Sequence, residues 1–228
     1  MFKSKFIAAV ALTLFAMQAQ ASLVLLPAQD FQGTGLGSVN TILTLQSAGN
    51  STNEAGSVGR VVGNPIDVIT GDASTGASQT QTRTAAELGL TSASQLRVVF
   101  NALEPGNAAN SITLNDLQLN IFSASGVLLF NSAFFAPISF SDTFTGAGNS
   151  GFVFGLDATQ AATAQLLAFG VGFGTNRIGL SASLSNATGG FETFFVANAP
   201  GQQVPEPGSL LLAGIALLGI AASMRRGR

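Results

Sequence analysis

Both long apolar stretches of this chain stand at its ends. Phe6–Met17 is a stretch of twelve residues, and Leu210–Ala222 is thirteen consecutive apolar or glycine residues. A composition of 46% hydrophobic and 9% charged residues would suit a membrane protein. The placement of the runs points elsewhere: one folded body between two membrane-compatible ends. The body, Ser22 to Gln203, is rich in Gly, Ser, Thr, Asn and Ala, the composition of an exported β protein with many turns.

The N-terminus has the three parts of a secretory signal. Lys3 and Lys5 give a positive start, Phe6–Met17 gives the apolar segment, and Ala19-Gln20-Ala21 gives a small–x–small cleavage site. The cut is expected between Ala21 and Ser22, making residues 1–21 a signal peptide and the secretion machinery a partner. A buried N-terminal helix would explain the apolar segment but not the charges and the cleavage site together. The chain has no cysteine, so an exported body must rely on packing and hydrogen bonds. Roughly 180 residues bury a sufficient core without cross-links.

At the C-terminus, Gly208–Met224 spans seventeen residues. As a helix this is about 25 Å long, against a hydrocarbon core of about 30 Å. A core helix of that length would carry a polar stripe, whereas this one is apolar all round. Arg225, Arg226 and Arg228 follow it and would hold the terminus on the cytoplasmic side. The expectation is a transmembrane helix at about 208–224, with the body outside. Just before it, Pro205-Glu206-Pro207 enforces extended backbone, a shape that a protease at the membrane surface can bind and cut. Short motif, apolar tail and terminal charge follow the logic of a lipid-anchor signal.

Val204-Pro205-Glu206-Pro207, the apolar run and the arginine end together resemble the PEP-CTERM sorting signal of exopolysaccharide-producing Gram-negative bacteria. This tail is also known as the ice-binding protein C-terminal domain. The resemblance covers about 25 of the 228 residues. It implies recognition by a membrane-embedded exosortase that cleaves near Pro205-Glu206-Pro207. Exopolysaccharide is a partner such a setting suggests. Proteins with this tail have diverse bodies, so the resemblance implies an address and not an activity.

Within residues 22–203, strand-like segments recur at short spacing: 22–26, 39–45, 58–62, 66–69, 96–100, 112–122, 127–130, 138–144, 152–156, 170–173, 178–184 and 192–197. From Leu117 to Phe122 apolar and polar residues alternate as in a half-buried strand, and Ser123-Ala124-Ser125-Gly126 then predicts a hairpin turn. Thr84-Ala85-Ala86-Glu87 is a capping-box pattern, and Asp157-Ala158-Thr159-Gln160 opens an alanine-rich stretch reaching Ala168. The expected fold is all-β, a β-sandwich of jelly-roll kind with two short helices, plus the signal helix and the transmembrane helix. Residues 22–203 form its body and 204–228 its sorting tail.

The residue inventory narrows the chemistry. Neither histidine nor cysteine occurs anywhere, and the body has no lysine. Histidine-activated nucleophiles, imidazole metal sites and thiolate zinc sites are therefore excluded. Ten acids against four arginines in the body argue against nucleic acid as a partner. Carboxylate pairs remain open for glycoside hydrolysis, with Glu54, Glu87, Glu104, Asp116, Asp142, Asp157 and Glu192 as candidates. Glu87 and Asp157 suit helix caps, and Glu104 suits a turn before Pro105-Gly106. Trp and Tyr, the usual sugar-stacking side chains, are absent.

Asp67 and Asp72 straddle a turn but lack the spacing of a calcium loop. Gly146–Gly151 lacks the Lys-Ser/Thr of a phosphate loop and reads as a turn. Thr80-Gln81-Thr82-Arg83-Thr84 could line one strand face with threonines about 6.6–7 Å apart. Ice binding needs an array of such motifs, and a single copy reads as an exposed polar edge strand or loop. The expected function is a non-catalytic exported surface or extracellular-matrix protein, with no cofactor or metal. The alternative is a carbohydrate-binding module or a carboxylate-dependent glycosidase acting on exopolysaccharide.

Overall fold

A computed structural model describes residues 23–27, 40–48, 51–76, 78–102, 112–132, 135–140, 151–188 and 190–198. The signal helix and the 204–228 tail lie outside these residues. The strands are β1 (Val24–Leu25), β2 (Thr41–Leu45), β3 (Asn53–Gly59), β4 (Val68–Gly71), β5 (Arg83–Thr84), β6 (Leu96–Asn101), β7 (Ile112–Phe122), β8 (Leu128–Asn131), β9 (Ile138–Phe140), β10 (Gly151–Gly155), β11 (Arg177–Ser185) and β12 (Glu192–Asn198). One helix, α1 (Ala158–Ala168), separates β10 from β11.

Two antiparallel sheets result. The first has the order β1-β10-β6-β12-β2, and the second β4-β3-β11-β7-β8 with β5 on β11 and β9 on β7. The pairing is nested: β7 with β8, β6 with β10, β3 with β11 and β2 with β12. The chain thus behaves as one long hairpin, bent between β7 and β8, whose arms roll over into two sheets.

Period-two alternation supplies the interior. Leu96, Val98 and Phe100 on β6, Phe194 and Val196 on β12, and Ile178 and Leu180 on β11 all belong to one apolar core. Phe140 of the second sheet lies 3.9 Å from Phe152 and 5.9 Å from Phe100 of the first, ring centre to ring centre. Those contacts place aromatic rings between the two sheets.

The long strand β7 corrects its own pattern. Ile112 and Leu114 are buried, and so are Leu117, Leu119 and Ile121, although the two sets have opposite parity. The register against β11 shifts between Ser183 and Leu184, leaving Asn115 as an extra residue. This bulge turns both apolar sets inward. On the opposite face, Phe122 lies over a smooth track: a Cβ at Gly59 or Gly179 would meet its ring at 3.0 or 3.1 Å.

α1 begins where expected, with Asp157 accepting from the Gln160 amide at 2.8 Å. The other expected helix is a single capped turn. Thr84 and Glu87 exchange hydrogen bonds as a capping box, but Gly89 follows at φ 65° and ends the turn at once. Leu90 N–H to Ala85 O and Gly89 N–H to Ala86 O close it as a Schellman motif.

Candidate functional site

The residues expected to carry sorting lie beyond both margins of the described fold. Ala19, Ala21 and Ser22 of the signal cleavage site, Val204, Pro205, Glu206 and Pro207 of the sorting motif, and Arg225, Arg226 and Arg228 are outside the described residues. The fold does fix where their segments leave it. Val24 pairs with Gly155, Gly155 with Arg97, and Arg97 with Ala197, one row across the first sheet. The start of β1 and the finish of β12 therefore lie at the same end.

α1 marks that end. The row above closes β10, which leads through Asp157 into α1. In the second sheet, Arg177 at the start of β11 pairs with Phe122 at the finish of β7 and with Thr84 on β5. The Asn198 side-chain amide donates to the Gly89 carbonyl, joining the finish of β12 to the capped turn after β5. The helix end of the body thus bears both exits of the chain.

A polar network is built into the same end. Arg60 Nη1 pairs with Asp67 Oδ1 at 3.2 Å. The Thr82 amide and hydroxyl donate to Asp67 Oδ2 and Oδ1 at 2.7 and 2.6 Å. Arg177 Nε and Nη2 donate to Thr82 Oγ1 and O at 2.6 and 2.8 Å. Beside it, the Thr84 amide holds the Glu87 carboxyl below its ordinary range. Burial opposes that effect, and the Thr84 hydroxyl and the charges of Arg177 and Arg83 reinforce it.

The Thr80–Thr84 stretch is accordingly not an exposed polar edge. Thr80 and Thr82 are buried, and the Thr80 hydroxyl accepts from the Thr44 amide at 3.2 Å. Alternation turns these threonines inward, so they cannot form a flat outer array.

The candidate carboxylates are distributed over different parts of the body. Asp67 is held in the network, whereas Asp72, beyond β4, accepts from the Ala55 amide at 2.9 Å. Glu54 and Glu192 face inward at the opposite end, both under 5% exposed, and Glu54 Oε1 accepts from the Ser47 amide at 2.8 Å. Asp116 lies on the outer face of β7, where burial raises its carboxyl above the usual value and the Leu117 amide opposes that rise. Glu104 and Asp142 lie outside the described residues. Among the described residues, no group of three or more acids is placed to hold a metal ion.

Sequence reading missed Arg97. It is 1% exposed within an apolar strand, with Nη1 donating to the Ser94 and Leu96 carbonyls at 2.8 and 2.9 Å. Burial lowers its pKa. Its only sequence signal is a charge inside Leu96-Arg97-Val98-Val99-Phe100.

The described residues form a mostly β body of two antiparallel sheets with one α-helix. Residues 203–226 match the PEP-CTERM protein-sorting motif. That match places the end of the chain among signals for surface sorting by an exosortase. Comparisons with curated proteins and with solved structures give no match for the chain. Among the described residues, no helix is long and apolar enough to cross a membrane.

Proposed function

We propose that this is a non-catalytic exported protein, held briefly in the inner membrane by a helix at about 208–224. An exosortase then cuts it near Pro205-Glu206-Pro207, and it acts at the cell surface or in the extracellular matrix, where exopolysaccharide is a partner. The observation that carries this reading is the sorting motif at residues 203–226. The nested strand pairing supports a β-sandwich of jelly-roll kind as the delivered body. Cleavage between Ala21 and Ser22 supplies its N-terminus.

The non-catalytic reading draws support from the candidate acids. Asp157 caps α1, Glu87 closes a capped turn, and Glu54 and Glu192 are buried, while a glycosidase pair must reach its substrate. The test is the intact mass of the protein recovered from the cells that make it. A product from Ser22 to near Pro205 supports export and tail removal. A product retaining Arg228 overturns cleavage and makes the tail a lasting anchor.

A further inference from the structure

Helix α1 is packed inside out. It buries Gln160, Ala164 and Ala168, one helical face, and turns Leu166 and Leu167 outward at 82% and 51% exposure. Val171 follows, fully exposed. A helix that only had to cover a core would bury its leucines and show its alanines.

The same end shows more aliphatic surface. The β3–β4 and β7–β8 loops are pinned together, with Gly63 N–H donating to Ser125 O at 3.3 Å. Gly126, at φ 88°, is so close to Val61 that a Cβ would lie 2.4 Å from its carbonyl oxygen. The β3–β4 loop and the start of β8 expose Val62, Ile66 and Leu128 by half or more. Apolar surface gathered on one end of a body marks an interaction face.

Charge is sorted along the same axis. All four arginines of the body, 60, 83, 97 and 177, lie at the helix end, alongside Asp67, Glu87 and Asp157. The other described acids, Glu54, Asp72, Asp116 and Glu192, lie on strands or loops away from it. Four arginines and three acids leave that end near neutral, with Arg97 itself buried and Arg60 paired to Asp67, while the other described acids sit elsewhere on the body.

That end is also where the chain departs for its tail. Nine residues separate Asn198 from Gly208, so the helix end stays within about 35 Å of the start of the apolar run. We propose that the helix end docks on the bilayer surface while the tail is inserted. Leu166, Leu167, Val171, Val62 and Leu128 enter the interfacial layer. The docked body presents the 199–207 connection at the membrane surface, within reach of a membrane-embedded protease. This inference rests on reading 208–224 as a membrane helix.

The chain has no cysteine, so single probes are unique. Full-length Val62→Cys, Leu167→Cys, Ser51→Cys and Leu217→Cys proteins, labelled with an environment-sensitive fluorophore, are reconstituted into phosphatidylethanolamine–phosphatidylglycerol vesicles carrying nitroxide lipids. Ser51 is exposed on the β2–β3 loop at the opposite end, and Leu217 reports on the tail.

The expected result is lipid quenching at Leu217, Val62 and Leu167 and none at Ser51. Quenching at Leu217 with Val62 and Leu167 no different from Ser51 overturns docking and leaves insertion standing. No quenching at any site overturns both. Quenching at Val62 and Leu167 without Leu217 overturns insertion and upholds docking. Probes at Val62 and Leu167 shielded from water yet untouched by lipid quencher mean that a protein copy covers this end, which also overturns the proposal.

Discussion

Arg177 grips Thr82 from 95 positions away, with Nε on the hydroxyl at 2.6 Å and Nη2 on the carbonyl at 2.8 Å. The same hydroxyl donates to Asp67, so one buried oxygen joins β11, the approach to β5 and the β3–β4 loop. Thr82→Val keeps the shape and deletes this junction. Leaving Asp67 and Arg177 short of a partner should cost about 1–3 kcal/mol. In a body of this size that lowers Tm by roughly 2–10 °C. Thermal unfolding of the variant beside the parent protein checks it; equal midpoints would show that the junction adds nothing.

Two glycines should respond in opposite ways to the same methyl group. A Cβ at Gly179 would lie 2.3 Å from the Val58 carbonyl and 3.1 Å from the Phe122 ring, whereas one at Gly170 meets nothing within 4 Å. Gly179→Ala should therefore destabilise by about 1–3 kcal/mol through a forced shift of β3 against β11. Gly170→Ala should be neutral or slightly stabilising, because it restricts the unfolded chain. Urea midpoints of the two variants decide the matter, and a tolerant Gly179 would contradict the β3–β11 packing.

Acid should act on Glu87 and Asp116 with opposite sign. The Glu87 carboxyl is held below its ordinary 4.5, so its contribution is present above pH 4.5 and is lost as pH falls through the lower folded value. The Asp116 carboxyl is raised above 3.8, so its ionisation opposes folding as pH climbs from 3.8 through the higher folded value. Glu87→Gln should flatten the acid limb of a stability–pH curve, by a small amount because Glu87 is exposed. Asp116→Asn should raise stability at neutral pH and leave it unchanged at pH 3. A curve for either variant that parallels the parent would refute the assignment.

The terminal arginines should orient the tail. Changing Arg225, Arg226 and Arg228 together to Asn removes the charge that favours a cytoplasmic end. Less of the protein should then reach the orientation in which Pro205-Glu206-Pro207 faces the outside, and tail-bearing precursor should accumulate. Protease protection of a C-terminal epitope reads orientation directly; unaltered protection would mean that the apolar run alone sets it.

What could be read from the sequence was local. Asp157 capping α1, the Ser123–Gly126 turn between β7 and β8, and the capping box of Thr84 and Glu87 are contacts within four residues, so their chemistry is written side by side. The sorting tail was legible for the same reason, since its motif, apolar run and charges are consecutive. Thr80-Gln81-Thr82-Arg83-Thr84 was misread because alternation identifies two faces without saying which one the body covers. The extra residue at Asn115 escaped notice because a bulge exists only relative to the partner strand β11.

The sequence by itself settled that this chain is β-rich, lacks histidine and cysteine chemistry, and ends in a sorting signal. Those properties depend on residue type and short spacing. Only the tertiary structure decided that Arg60, Arg83, Arg97 and Arg177 meet at one end, beside outward-facing Leu166 and Leu167 and both exits of the chain. Their meeting depends on strand pairing between segments far apart in sequence, such as β5 with β11 and β3 with β11. Such pairings are chosen by the burial of the whole core, which no local stretch of sequence encodes.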